Sequence, residues 1–304
     1  MNSFKGIFPA VITPMKEDFS INYSDFEKYL RWLKSQGVNG FAINVDTGEG
    51  QLLNREEKEE LIQIGRKVAS EDLRVIAGVI GSSTKEAINE AREAVNSGAD
   101  ALLIFPNSFF RGKPQNPKLI FKYHNSIAQE VEVDILIFNL QDDLGGCLYE
   151  RETLEKLLAI PQVKAIKEAS FDISVFKGVK SFLDKQEKKI DFLTGNDNFI
   201  YESFLLGADG GLLGACAQFT ELQVRCYNSV LKKDFQTAHD FALKFQPLID
   251  KVFMPPVRNY RARTKYSLKL QGIIQNSTVR PPLMSISQEE KDVIEEMLEN
   301  EKLI

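Results

Sequence analysis

Three cysteines, two histidines and one tryptophan in 304 residues exclude several classes of protein at the outset. Cys147, Cys216 and Cys226 form no CxxC pair. So sparse and odd a set supports no disulfide framework and suits reduced thiols. His124 and His239 fall in separate helical patterns without ligand spacing. Each is read as a surface or hydrogen-bonded helix residue, and no metal site is expected. No apolar run approaches the roughly 20 residues that a membrane helix needs. The opening residues show no cleavable signal pattern, so a cytoplasmic protein is expected. Positive charge is also short, with 38 Lys and Arg against 43 Asp and Glu and a net charge of −5. That argues against a nucleic-acid partner, which calls for a basic patch or stripe. It leaves room for a local basic pocket that takes an acidic substrate.

What is present is a repeat of short apolar runs and longer helical patterns. Strand candidates are Gly6–Thr13, Gly40–Val45, Arg74–Val79, Ala101–Phe105, Asp134–Asn139, Val163–Lys167, Ile190–Gly195 and Gly210–Gly214. Several are nearly continuous apolar runs, as parallel strands covered on both faces are. Helix starts are marked by three capping patterns: Ser24 with Glu27, Asn54 with Glu57, and Ser83 with Glu86. Gly98 marks the end of the third helix. Eight strand–helix units between about residues 6 and 230 predict an α/β fold, specifically a (β/α)₈ TIM barrel over residues 1–230. Residues 231–304 read as a C-terminal helical extension packed on that barrel, with helices at Asp234–Lys251, Arg258–Gln271 and Ser287–Asn300. No linker composition divides the two, so one domain is expected.

The segment Val163-Lys164-Ala165-Ile166-Lys167-Glu168-Ala169 carries the chemistry. Alternation puts Val163, Ala165 and Lys167 on one face. If that face is the barrel interior, Lys167 stands at the C-terminal rim, where barrel enzymes keep their reacting groups. An apolar surround disfavours the ammonium and lowers its pKa, and a neutral amine is a nucleophile. The alternative is a rim lysine paired with a nearby acid.

Several segments, in order along nearly the whole chain, resemble the dihydrodipicolinate synthase / N-acetylneuraminate lyase family. Gly6-Ile7-Phe8-Pro9-Ala10-Val11-Ile12-Thr13-Pro14 is similar to its first strand. Asp46-Thr47-Gly48-Glu49 is similar to its Thr-Thr-Gly-Glu loop, and Ala165-Ile166-Lys167-Glu168-Ala169 to its Schiff-base lysine motif. Thr194-Gly195-Asn196-Asp197 and Val279-Arg280-Pro281-Pro282-Leu283 resemble its seventh-strand and C-terminal signatures. The resemblance implies a class I aldolase-type lyase with no cofactor beyond the covalent Schiff base of Lys167 with C2 of a 2-keto acid. It also implies that Thr47 and the backbone amides of Asp46, Gly48 and Glu49 hold the substrate carboxylate, that Asn139, Gly195 and Leu212 border the substrate, and that the chain forms a homodimer or homotetramer.

The departures bear on the substrate. The family's fifth-strand tyrosine, which relays protons, corresponds to Phe138, which has no hydroxyl. Asp143 stands about where synthases carry an arginine for aspartate semialdehyde. Asp46 replaces the first threonine of the second loop, and Phe105-Pro106-Asn107-Ser108-Phe109-Phe110 lacks the fourth-loop tyrosine. Asp46 and Asp143 are candidates for binding the hydroxyls of a 2-keto-3-deoxy sugar acid or for acting as a base, or are solvated loop acids. Four readings follow: a lyase of that substrate class or of pyruvate, a divergent 4-hydroxy-tetrahydrodipicolinate synthase, an N-acetylneuraminate lyase-like enzyme, and a catalytically silent 2-keto acid binder. The run Arg258, Arg261, Arg263 and Lys265 reads as a solvated face or subunit contact, with an anion or effector site as the alternative. The glycines of Gly207–Gly214 lack phosphate-loop spacing and suit a strand that closely approaches other backbone.

Overall fold

The computed structural model describes residues 3–304. Eight parallel strands form one sheet: β1 (Gly6–Pro9), β2 (Gly40–Ile43), β3 (Arg74–Val79), β4 (Ala101–Ile104), β5 (Asp134–Leu140), β6 (Val163–Ala169), β7 (Asp191–Thr194) and β8 (Gly210–Leu213). From β2 to β8 each strand pairs with the next, and β8 pairs with β1. Ala10 bridges Ala42 beyond the end of β1, and Asn39 N–H donates to Ile7 O at 2.8 Å, which closes the ring. This is the TIM barrel that the alternating pattern predicts.

Helices α1 (Tyr23–Ser35), α2 (Arg55–Ala69), α3 (Thr84–Asn96), α4 (Pro117–Ala128), α5 (Arg151–Leu158), α6 (Ile173–Leu183), α7 (Ile200–Leu205) and α8 (Thr220–Leu231) follow the strands in turn. Beyond them, α9 (Phe235–Val252) packs on α7 and α8, and α10 (Tyr260–Leu270) and α11 (Gln288–Asn300) pack on α9 and on each other. Asn54 with Glu57 and Ser83 with Glu86 form the expected capping boxes. The first helix departs from expectation. Its cap is Asn22, which accepts from Asp25 N–H, and Ser24 lies inside the helix. The Asp25 carboxylate instead accepts Gln275 N–H at 2.7 Å and tethers the C-terminal segment.

Two apolar layers result. Phe8, Ala42, Ile76, Leu103, Leu136, Ala165, Leu193 and Leu212 fill the barrel interior. A larger layer separates the barrel from its helices. Val163 belongs to that outer layer, not to the face of Lys167. The pairing of β5 with β6 steps from Ile135–Val163 to Leu136–Ala165, and this bulge pushes out Lys164 and shifts the alternation before it. From Ala165 onward the alternation holds, with Ala165 and Ala169 inward and Ile166 outward.

His124 is neither a surface nor a fully satisfied residue. It is wholly buried among Phe110, Tyr123 and Tyr149, with Nδ1 on Ile120 O at 2.8 Å and Nε2 without a protein partner. Burial lowers its pKa to about 4. The unfolded chain therefore binds a proton below about pH 6.5 that the folded chain refuses. Stability is lost as pH falls from there towards 4, at about 1.4 kcal/mol per pH unit and about 3 kcal/mol in all. Urea unfolding of His124→Leu and of the native chain at pH 7 and pH 5 checks this. The variant is expected to have the shallower acid limb, and parallel limbs would contradict the assignment.

Candidate active site

Alternation along β6 carries Lys167 into the top of the barrel, at the C-terminal ends of the strands. Its Nζ lies 4.2 Å from the centroid of the Phe138 ring, on the residue paired with it across β5. Phe105 meets Phe138 edge-on, with centroids 4.9 Å apart. Gly195 is required beside it, because a Cβ there would stand 2.6 Å from Lys167 Cε. The amine makes no hydrogen bond or ion pair with any described residue. Burial pushes its pKa down to about 8, opposed by the negative charges of Asp197 and Asp46.

Lys167 opens into a cavity of about 40 Å³, room for about three waters. Besides Lys167, its polar lining consists of Asp46, Thr47, Asp197 and Tyr260. The remainder is apolar, with Phe138, Leu140, Leu144, Phe171, Phe253 and Val257 among its residues. Asp197 is buried and accepts Ala215 N–H at 2.8 Å. Burial raises its pKa to about 6, while the Ala215 amide and Lys167 pull it down. Thr47 Oγ1 lies 3.1 Å from the Tyr260 hydroxyl, which donates to Asp46 Oδ2 at 2.9 Å. Asp46 is also ion-paired with Arg261, whose Nε donates to Asp46 O at 2.8 Å.

Of the residues singled out in the sequence, Lys167, Phe138, Thr47, Asp46 and Gly195 surround this cavity, and Gly48, Glu49, Asn139, Asp143 and Leu212 do not line it. The second-strand loop winds into a 3-10 turn, in which Gly48 N–H donates to Val45 O and Glu49 N–H to Asp46 O, so these two amides are not offered to a ligand. The Glu49 carboxylate turns away to Lys265 and to Arg280 N–H. Asn139 falls on the outer face of β5 and takes Tyr149 N–H at 2.7 Å. Asp143 is exposed, and the turn Asp142–Leu144 presents Leu144 to the cavity instead. Leu212 fills the barrel interior below the cavity.

Of the readings open for the basic run, the solvated face does not hold. Arg261 holds Asp46, Arg263 is buried against Val252 O, Met254 O and Glu290, and Lys265 is buried against Glu49. Only Arg258 of the four is exposed. Phe109 and Phe110 divide: Phe110 packs on Tyr123, and Phe109 is 79% exposed. In β8, a Cβ on Gly210 would stand 2.1 Å from Gly6 O, so that glycine serves strand packing, while Gly214 lines the cavity. Asp197, Tyr260 and Phe253 were not anticipated as site residues. For Asp197 the signal was present, since it closes the Thr194–Asp197 motif.

Residues 3–301 match the family model described as the dihydrodipicolinate synthetase family. The chain belongs to this family. Among relatives, an uncharacterised DapA-like lyase of Thermococcus kodakarensis is 28% identical over 300 residues, covering 97% of this chain and 98% of the relative. A 4-hydroxy-tetrahydrodipicolinate synthase of Archaeoglobus fulgidus is 29% identical over 302 residues, with 99% of each chain covered. Among solved structures, a dihydrodipicolinate synthase from Acinetobacter baumannii complexed with pyruvate superposes with a TM-score of 0.88 at 26% identity, covering 99% of this chain and 100% of that one. Among the described residues no helix is long and apolar enough to cross a membrane, and no three His, Cys, Asp or Glu side chains cluster as metal ligands would.

Proposed function

We propose that this family member is a Schiff-base lyase that acts on a 2-keto acid through Lys167. The observation that carries the reading is a buried amine without a salt-bridge partner, facing a small cavity at the C-terminal rim of the barrel. Such an amine is neutral in roughly a tenth of molecules at pH 7, far more often than an ordinary lysine, and the neutral form attacks a ketone carbon. Loss of water leaves an iminium. Its positive nitrogen draws electrons from the adjacent bond, which serves aldol cleavage, condensation and dehydration alike without a cofactor. On this reading the backbone N–H of Thr47, a cavity-lining residue, holds the substrate carboxylate.

The cavity favours a short head such as pyruvate. Much of its lining is apolar, Leu140, Leu144, Phe171 and Val257 included, a poor surround for a polyhydroxylated tail or a second carboxylate. Arg111 is near the fifth-strand loop, but its Nε donates to Gly146 O and it does not line the cavity. We therefore favour pyruvate or a 2-keto acid with an apolar tail over a sugar acid or aspartate semialdehyde. On the same reading the chain assembles as a homo-oligomer, which would cover exposed apolar side chains such as Phe109 and Met284.

Borohydride trapping tests the reading and its pH dependence together. An amine with a depressed pKa is charged below that value and neutral above it. Where attack on the carbonyl limits, the initial trapping rate is expected to rise about tenfold per pH unit and to level off near pH 8. A rise that continues past pH 10 would show an ordinary lysine and contradict the reading. Run against pyruvate, a hydroxylated 2-keto acid and an apolar one, the same assay ranks the tails. Absence of any adduct removes both the lyase and the imine-binding readings.

A further inference from the structure

The ring beside Lys167 is a phenylalanine, so β5 provides no hydroxyl to move a proton on and off the bound substrate. A phenol nevertheless reaches the cavity from another part of the chain. Tyr260 begins α10, in the C-terminal extension, and its hydroxyl stands between Thr47 Oγ1 at 3.1 Å and Asp46 Oδ2 at 2.9 Å. All three residues line the cavity into which Lys167 opens. The ring is held on two sides: Phe253 stacks on it at 4.7 Å and 17°, and the Arg261 guanidinium carbon lies 4.8 Å from its centroid. The same guanidinium pairs with Asp46 and fixes the far end of the chain of hydroxyls.

We propose that Tyr260, acting between Thr47 and Asp46, is the proton relay of this enzyme, so that the C-terminal extension provides the hydroxyl absent from the fifth strand. The proposal rests on the Lys167 imine. In the iminium of a 2-keto acid the C3–H bond breaks, and its electron pair becomes the C2–C3 double bond. The C2–N pair moves to nitrogen and leaves a neutral enamine. The C3 proton goes to Thr47 Oγ1, the proton of Thr47 to Tyr260, and that of Tyr260 to the Asp46 carboxylate. The reverse sequence returns a proton to C3. Burial and the Asp46 charge hold the Tyr260 proton far more tightly than in water. The phenol therefore passes a proton along rather than resting as a phenolate.

The other carboxylate in the cavity, Asp197, is the rival. One of its oxygens is occupied by Ala215 N–H, and it makes no hydrogen bond to either hydroxyl. Two readouts on the full chain separate the cases: the adduct trapped on Lys167 at saturating pyruvate, and the exchange of pyruvate C3 protons in deuterium oxide followed by NMR. Tyr260→Phe keeps the stacked ring and removes only the hydroxyl. It is expected to form the saturating adduct and to slow C3 exchange by about 10²–10⁴-fold, the usual value of a positioned acid–base group. Asp197→Asn is expected to slow the exchange less than Tyr260→Phe does, and a larger loss in Asp197→Asn makes Asp197 the base and overturns the relay. Exchange at the native rate in Tyr260→Phe overturns the relay. So does loss of the saturating adduct with an unchanged melting temperature, which would make Tyr260 a binding group. Failure of the native chain to form an adduct overturns the Lys167 reading instead.

Discussion

Lys167→Ala is expected to lower turnover of a 2-keto acid by on the order of 10³-fold or more, because no second amine lines the cavity and loss of a covalent nucleophile cannot be compensated by binding. Lys167→Arg discriminates between two explanations of such a loss. A guanidinium keeps the positive charge beside Asp46 and Asp197 but is never neutral in a protein. If Lys167 only supplied charge to bind an anion, the arginine variant would keep a large part of the activity. As a nucleophile, it is equally dead in both variants. Stability moves differently. The amine is buried beside the Phe138 ring without an ion-pair partner among the described residues, so Lys167→Met, which keeps the volume and removes the desolvated charge, is expected to unfold at the same or a higher urea concentration. Steady-state rates with the two variants, read beside their unfolding midpoints, check both statements.

The largest effect on stability is expected at Glu49 and Lys265. Both side chains are wholly buried and ion-paired. Lys265 also donates to Thr278 O at 2.8 Å, and Glu49 accepts Arg280 N–H at 2.8 Å. The pair joins the second-strand loop, which carries Thr47, to the extension, which carries Tyr260. Removing one partner leaves the other charged, buried and unpaired, at a cost of about 3–5 kcal/mol. Glu49→Leu and Lys265→Met are each expected to lose about that much in denaturant unfolding. The double variant is expected to lose clearly less than the sum, since no charge remains stranded. Additive losses would mean that the two side chains do not act as a pair. Either single variant should also slow catalysis, because the loop and α10 would no longer be held in register across the cavity.

These two sites show how far the chain could be read without coordinates. The barrel and most helix starts were legible because their signals are local: an apolar run with covered faces, or Asn54 and Ser83 each followed by a glutamate three residues on. Lys167 was legible because alternation from Ala165 onward is undisturbed. Val163 was misplaced because a bulge at Lys164 depends on the partner strand, not on β6 itself. Asp143 reads as either a substrate-binding residue or a solvated loop acid, and the exposed position fits the second, because a single turn of 3-10 helix offers Leu144 to the cavity. Tyr260 could not be foreseen. Its partners, Thr47 and Asp46, lie 213 and 214 residues away in sequence, and the basic residues that follow it made the helix look solvated. Arg261, Arg263 and Lys265 are buried because each meets an acid or backbone carbonyls from elsewhere in the chain, and no spacing rule reports that.

The most direct measurement is mass mapping after borohydride reduction with pyruvate labelled at C2. One label per chain is expected, on the peptide that contains Lys167 and on that residue alone, with formation slowed as pH falls below about 8. A label on another lysine, or none while the chain still turns over a 2-keto acid, would contradict the assignment of Lys167 as the nucleophile.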